Sequence, residues 1–103
     1  MMKFQMIPED YNNADGTCSN DPIARCLKRY LSSHVEWISN FYDFFLIKPV
    51  GHAVLRYEST SEMTEVVKNS NHGDFYPYLL QFEYQVPDYL FKKHHPVFGY
   101  ARK

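Results

Sequence analysis

The side chains of this 103-residue chain with chemical potential are five histidines, two cysteines and twelve carboxylates. A metal site needs such groups at short, repeating spacings, as in His-Glu-x-x-His on a helix or Cys-x-x-Cys in a turn, and neither pattern occurs. His94 and His95 are adjacent, so they point about 100° apart on a helix and to opposite faces on a strand. Cys18 and Cys26 are too few for a disulfide framework and read as free thiols in a reducing, cytoplasmic setting. Asp10, Asn12 and Asp15 suggest a calcium loop, but putting Gly16 at the required glycine leaves Tyr11 first and Pro22 last, where acids belong. No Gly-x-Ser-x-Gly and no phosphate-cradling glycine loop is present. The reading is no catalytic residue, no metal and no cofactor. Acid–base work, if there is any, falls to His52, which begins a strand-like stretch, or to His72 in a polar turn.

What the chain has in surplus is surface chemistry. It carries eight Phe, nine Tyr and one Trp. Part of that set must fill a core, and the tyrosines, with a hydroxyl that wants water or a partner, suit an edge or an interface. Charge is blocked along the chain, although the net is only -1. Residues 22–33 hold Arg25, Lys28 and Arg29 and no acid, which reads as a solvated helix face. Residues 34–91 are acidic, and residues 92–103 again hold only bases. Nucleic acid is an unfavoured partner, because the chain lacks both a basic surface and the RNA-recognition strand motif. No apolar stretch reaches the length of a membrane span.

The elements that must position these groups follow from periodicity. Tyr78, Leu80, Phe82, Tyr84 and Val86 alternate with Leu79, Gln81, Glu83 and Gln85 between two prolines, the pattern of a strand with one wet face. Ile23, Cys26, Leu27, Tyr30 and Leu31 form one helical stripe after an Asn20-Asp21-Pro22 start. That helix is predicted to continue to about residue 39, with a strand over 41–48. Pro49-Val50-Gly51 turns the chain into a second strand ending at Glu58. Ser59 and Glu62 have capping-box spacing before a helix with Met63, Val66 and Val67 inside. A first strand covers residues 3–7, residues 8–20 read as a long polar loop, and residues 87–103 form a C-terminal appendix. The expectation is one α+β domain over 1–103, with a ferredoxin-like βαββαβ order: an antiparallel sheet with two helices on one face.

The run Leu55-Arg56-Tyr57-Glu58, followed by a helix and then Ser70-Asn71-His72, is similar to the dimeric α+β barrel enzymes that include cofactor-free monooxygenases. The resemblance covers a short part of the chain. It implies a homodimer with a pocket under the sheet and puts His72 and Trp37 forward as pocket residues beside His52.

The other reading, which the missing chemistry favours, is a protein-binding inhibitor or regulator, such as an immunity protein or antitoxin that neutralises a basic toxin or enzyme. Such a protein needs only a complementary surface: aromatic anchors supply energy and acids steer a cationic partner. Glu58, Glu62, Glu65 and Asp74 gather around the second helix, with Tyr57, Tyr76 and Tyr89 as rim or anchor rings.

Overall fold

Ile23, Cys26, Leu27 and Leu31 are fully buried along one side of the helix α2 (Pro22–Leu31), against which most other elements pack. The computed structural model describes residues 1–71 and 79–91. Over these the chain forms β1 (Met2–Gln5), α1 (Pro8–Asn12), α2, β2 (Val35–Asn40), β3 (Phe44–Pro49), β4 (Leu55–Glu58), α3 (Ser61–Asn71) and β5 (Gln81–Tyr84), with 3-10 turns at Ser32–His34 and Asp88–Leu90. This is an α+β arrangement with antiparallel sheets, built around one core. Phe4 and Phe82 face each other across β1 and β5 in that core, with Phe45 and Ile47 from β3 and Met63, Val66 and Val67 from α3. Among the described residues no helix is long and apolar enough to cross a membrane.

Two departures from the sequence reading decide the topology. The first is the helix predicted to run to residue 39, which stops at Leu31; Val35–Asn40 is a strand. Val35, Trp37 and Ile38 are β-formers, and the Ser32-Ser33 pair competes with a helical backbone. Val35, Ile38, Phe41, Tyr42 and Phe45 also recur at helical spacing, which is what favoured a helix from the sequence. In the strand, Ile38 and Asn40 point inward while Phe41 lies exposed beyond its end. A bulge between Val35 and Trp37 shifts the register and hides the period of two.

The second departure is strand order. A ferredoxin-like sheet sets the first and third strands side by side and parallel at its centre. Among the described residues the ladders are all antiparallel and group as β1-β5 and β2-β3-β4, so that order is not seen. The two sheets meet through tyrosines instead. Tyr57 on β4 donates its hydroxyl to the Gln85 carbonyl at 3.1 Å, and Tyr84 on β5 donates to the Glu58 carbonyl at 2.7 Å. The two rings meet edge to face at 5.5 Å, and both pack on Phe45. Each hydroxyl thus serves a carbonyl at the end of a strand or just past it.

Residues 8–20 are also more than a loop. Pro8 starts the short helix α1, and Tyr11 is buried in the core. The cations of α2, read as a solvated face, fasten this segment down. Arg29 pairs with the buried Asp10 at 3.0 Å and donates to the Gln5 carbonyl, Arg25 donates to Asn20 Oδ1, and Lys28 donates to the Ser19 carbonyl. At α3 the cap is Thr60, whose hydroxyl accepts from the Met63 N–H at 3.2 Å, not Ser59 as the capping-box spacing implied. The appendix begins inside the fold, since Leu90 is fully buried. Its remainder from residue 92 lies outside the described residues.

Candidate functional site

Phe41 and Tyr42 occupy the tip of the β2–β3 hairpin, 41% and 40% exposed. The Phe41 N–H donates to the Phe44 carbonyl at 2.8 Å, which closes a two-residue loop of Tyr42 and Asp43. A loop this tight calls for a positive φ at its first residue, the province of Gly or Asn. Here Tyr42 takes it, with φ 74°. A bulky residue in that region is strained by about 1–3 kcal/mol and persists only where the surroundings hold it. Two bonds do so: the Thr64 hydroxyl of α3 donates to the Tyr42 carbonyl at 2.7 Å, and the Ser59 N–H donates to the Asp43 carbonyl at 2.8 Å. Phe41 stacks on Phe44 at 5.2 Å, and the Arg56 guanidinium lies 4.0 Å from the Phe44 ring centre.

The same two bonds draw acids toward the tip. Asp43 is in the loop, Glu58 ends β4 next to Ser59, and Glu62 and Glu65 flank Thr64 on α3. All four are exposed. Arg56 pairs with Glu58 at 3.0 Å, both being largely in water, so the pair contributes little to stability.

Behind the tip is a cavity of about 180 Å³ lined by Gly16, Cys18, Asp21, Asn40, Phe41, Tyr42 and Val67. Two polar residues reach it from the core. Asp21 is 2% exposed and caps α2, one carboxylate oxygen accepting from the Ala24 N–H at 2.7 Å. Its other oxygen accepts from the Asn40 amide at 3.0 Å. Asn40 is 4% exposed, and its N–H donates to the Cys18 carbonyl at 2.7 Å. Asn40 Oδ1 has no hydrogen-bond partner among the described residues. Burial pushes the Asp21 carboxyl up from its ordinary 3.8 to about 6, against the lowering effect of its hydrogen bonds.

That shift has a sign in stability. A carboxyl with a raised folded-state pKa binds its proton more tightly folded than unfolded. Its contribution is therefore fully present below the unfolded value and is lost as pH rises through about 6. Asp21→Asn keeps a cap acceptor and removes the charge. It should gain on the wild-type protein, by about 2–3 kcal/mol, between roughly pH 4 and pH 7. Urea unfolding of both proteins across that range checks it; parallel curves would mean the carboxyl is solvated.

Of the sequence-selected residues, Glu58, Glu62 and Glu65 lie exposed around the tip, whereas Tyr57 turns inward, half-buried against Phe45. Tyr57 is thus a seam residue rather than a rim ring. Tyr89 stacks on His52 at 3.6 Å. Trp37 is on the outer face of β2, paired in register with Lys48, and Lys48 Nζ donates to the His52 carbonyl at 2.8 Å. The three residues His52, Trp37 and Lys48 therefore share one end of the sheet, but no described cavity is lined by His52 and Trp37 together. His72, Asp74 and Tyr76 lie outside the described residues. Cys18 and Cys26 are free, and burial pushes the Cys26 thiol up to about 12, which leaves it inert.

Phe41, Tyr42, Asp21 and Asn40 are the residues sequence reasoning missed. Asn40 at an inward strand position was the available signal; a left-handed Tyr leaves none. No family model, curated protein or solved structure matches this chain.

Proposed function

We propose that this protein is a binding module without chemistry of its own, a stoichiometric inhibitor or regulator of a basic protein in the manner of an immunity protein or antitoxin. The observation that carries the reading is Tyr42: a large aromatic residue, exposed, held in a strained left-handed turn and ringed by Asp43, Glu58, Glu62 and Glu65. Local strain of this kind is retained where a surface must be presented in one shape. Exposed aromatic rings are the residues that anchor interfaces, commonly worth about 2 kcal/mol or more each when buried by a partner. Surrounding carboxylates add long-range attraction for a cationic surface and raise the association rate. The anchors in this reading are Phe41 and Tyr42, with Glu58, Glu62 and Glu65 kept as the steering acids.

Tagged protein purified from its native cell at low salt should bring down one basic protein at a one-to-one ratio. The double charge reversal Glu62→Lys, Glu65→Lys should then slow association severalfold and flatten its salt dependence, leaving dissociation nearly unchanged. Tyr42→Gly should do the opposite: relieve the turn strain, stabilise the fold by about 1 kcal/mol, and speed dissociation. Unaltered binding by both variants would put the interface elsewhere.

A further inference from the structure

The inference rests on the binding-module reading and deepens it. We propose that the cavity behind Tyr42 is a receptor for an organic nitrogen cation, the ammonium or guanidinium end of a Lys or Arg side chain presented by the basic partner.

Four observations carry this. Asn40 Oδ1 is a buried acceptor with no partner among the described residues, and Asn40 is one of the residues that line the cavity. An unfilled buried acceptor is unfavourable, and an N–H donor that enters the cavity while the Asn40 side chain shifts slightly toward it satisfies that oxygen. Asp21, whose side chain holds Asn40 in place, adds a carboxylate with accepting capacity left on the oxygen that faces Asn40. Among the described residues Asp21 forms no ion pair. The nearby cations are committed elsewhere, Lys28 to the Ser19 carbonyl and Arg25 to Asn20. Phe41 and Tyr42 line the same cavity and are partly exposed, and aromatic ring faces attract ammonium and guanidinium groups. Size agrees as well: about 180 Å³ exceeds the roughly 150 Å³ that admits benzene, enough for a charged head and a short alkyl stem. A neutral or anionic guest fits less well, since the walls offer acceptors and a negative charge. The Cys18 N–H and thiol are not needed as ligands in this scheme.

Butylammonium and butylguanidinium are the probes, with butan-1-ol as the uncharged control, each titrated into the protein alone while backbone amide resonances of residues 16–21, 40–42 and 67 are followed. Both cations should bind at millimolar concentration and shift those resonances, the alcohol should bind at least about tenfold more weakly, and Asp21→Asn should remove cation binding. Equal binding of the alcohol, or no binding by any of the three, overturns the proposal without need of a variant. Because these titrations use no partner, they fail or succeed apart from the binding-module reading. A free alkylamine as the natural guest is distinguished by the co-purified partner. If one partner Lys→Ala or Arg→Ala change weakens the complex tenfold or more in wild-type protein but not in Asp21→Asn, the cation comes from the partner. If no such residue exists while the amines still bind, the source is a free amine and the partner assignment is overturned.

Discussion

Phe45→Ala should lower the free energy of unfolding by about 3–5 kcal/mol, a large share of the roughly 5–15 kcal/mol that holds a domain together. Phe45 is fully buried on the central strand of its sheet. Its ring stacks on Tyr57 at 5.2 Å and meets Tyr84 edge to face at 5.1 Å, so it fills the angle between the two sheets. Truncation removes the ring's transfer free energy and leaves a cavity where neither sheet can easily collapse, each being held by its own ladder. The Tyr57 and Tyr84 hydroxyl bonds would lose their backing in the same step. Urea denaturation measures the loss, and the near-ultraviolet dichroism of the tyrosines should fall with it. A loss below about 1.5 kcal/mol would mean that the seam repacks and that the sheets are joined by something other than this ring.

Asp10→Ala should cost about 3 kcal/mol. The Asp10 side chain is 4% exposed and its partner Arg29 34%. One carboxylate oxygen accepts from the Ile7 N–H at 2.9 Å as well as from Arg29 at 3.0 Å. Removing the acid leaves an N–H unpaired near the start of α1 and a guanidinium half out of water. Because Arg29 can still reach solvent, the loss belongs at the lower end of the range for broken buried pairs. Arg29→Met made in the Asp10→Ala background should then cost only what the Arg29 bond to the Gln5 carbonyl and the packing of its stem contribute, and the four unfolding free energies form a double-mutant cycle that isolates the pair. A coupling energy near zero would show that the ion pair is not what holds α1 against α2.

Regular alternation was the most readable feature of this sequence. From Leu79 to Val86 the alternation holds as its spacing implies: Leu79, Gln81, Glu83 and Gln85 are exposed, Leu80, Phe82 and Val86 are buried and Tyr84 is half-buried, although the ladder itself covers only Gln81–Tyr84. The stripe of α2 was equally legible, because every residue in it except Tyr30 is fully buried. Legibility failed where a polar residue took a core position. Asn40 replaces the apolar residue that would have completed the inward series after Ile38, and without it the stretch from Val35 looked helical. The reason is tertiary: Asn40 donates to Asp21, which is distant in sequence, so the pair could not be recognised from either residue alone. Arg25, Lys28 and Arg29 failed in the same way. Their partners Asn20, Ser19 and Asp10 lie in a segment whose composition gave no sign of docking. The acids of α3 were legible as exposed. The turn that faces them was not, since Tyr42 adopts a conformation its residue type disfavours.

The pairing of β1 with β5 sets the order in which the chain can fold. Met2 meets Tyr84 and Phe4 meets Phe82, so the first strand waits for nearly the whole described chain before its ladder can form. The β2-β3-β4 meander and α2, whose contacts are closer in sequence, form without that delay. Closing a long loop is slow because its entropy must be lost before any pairing is gained. The late step of folding is therefore the capture of β1, and until it occurs Phe4 and Met6 are apolar side chains in search of a partner. Mutations in that ladder should slow refolding more than mutations in the meander's hairpins only if the capture lies in the transition state. Otherwise they speed unfolding, and the β1-β5 ladder is where the native protein first comes apart.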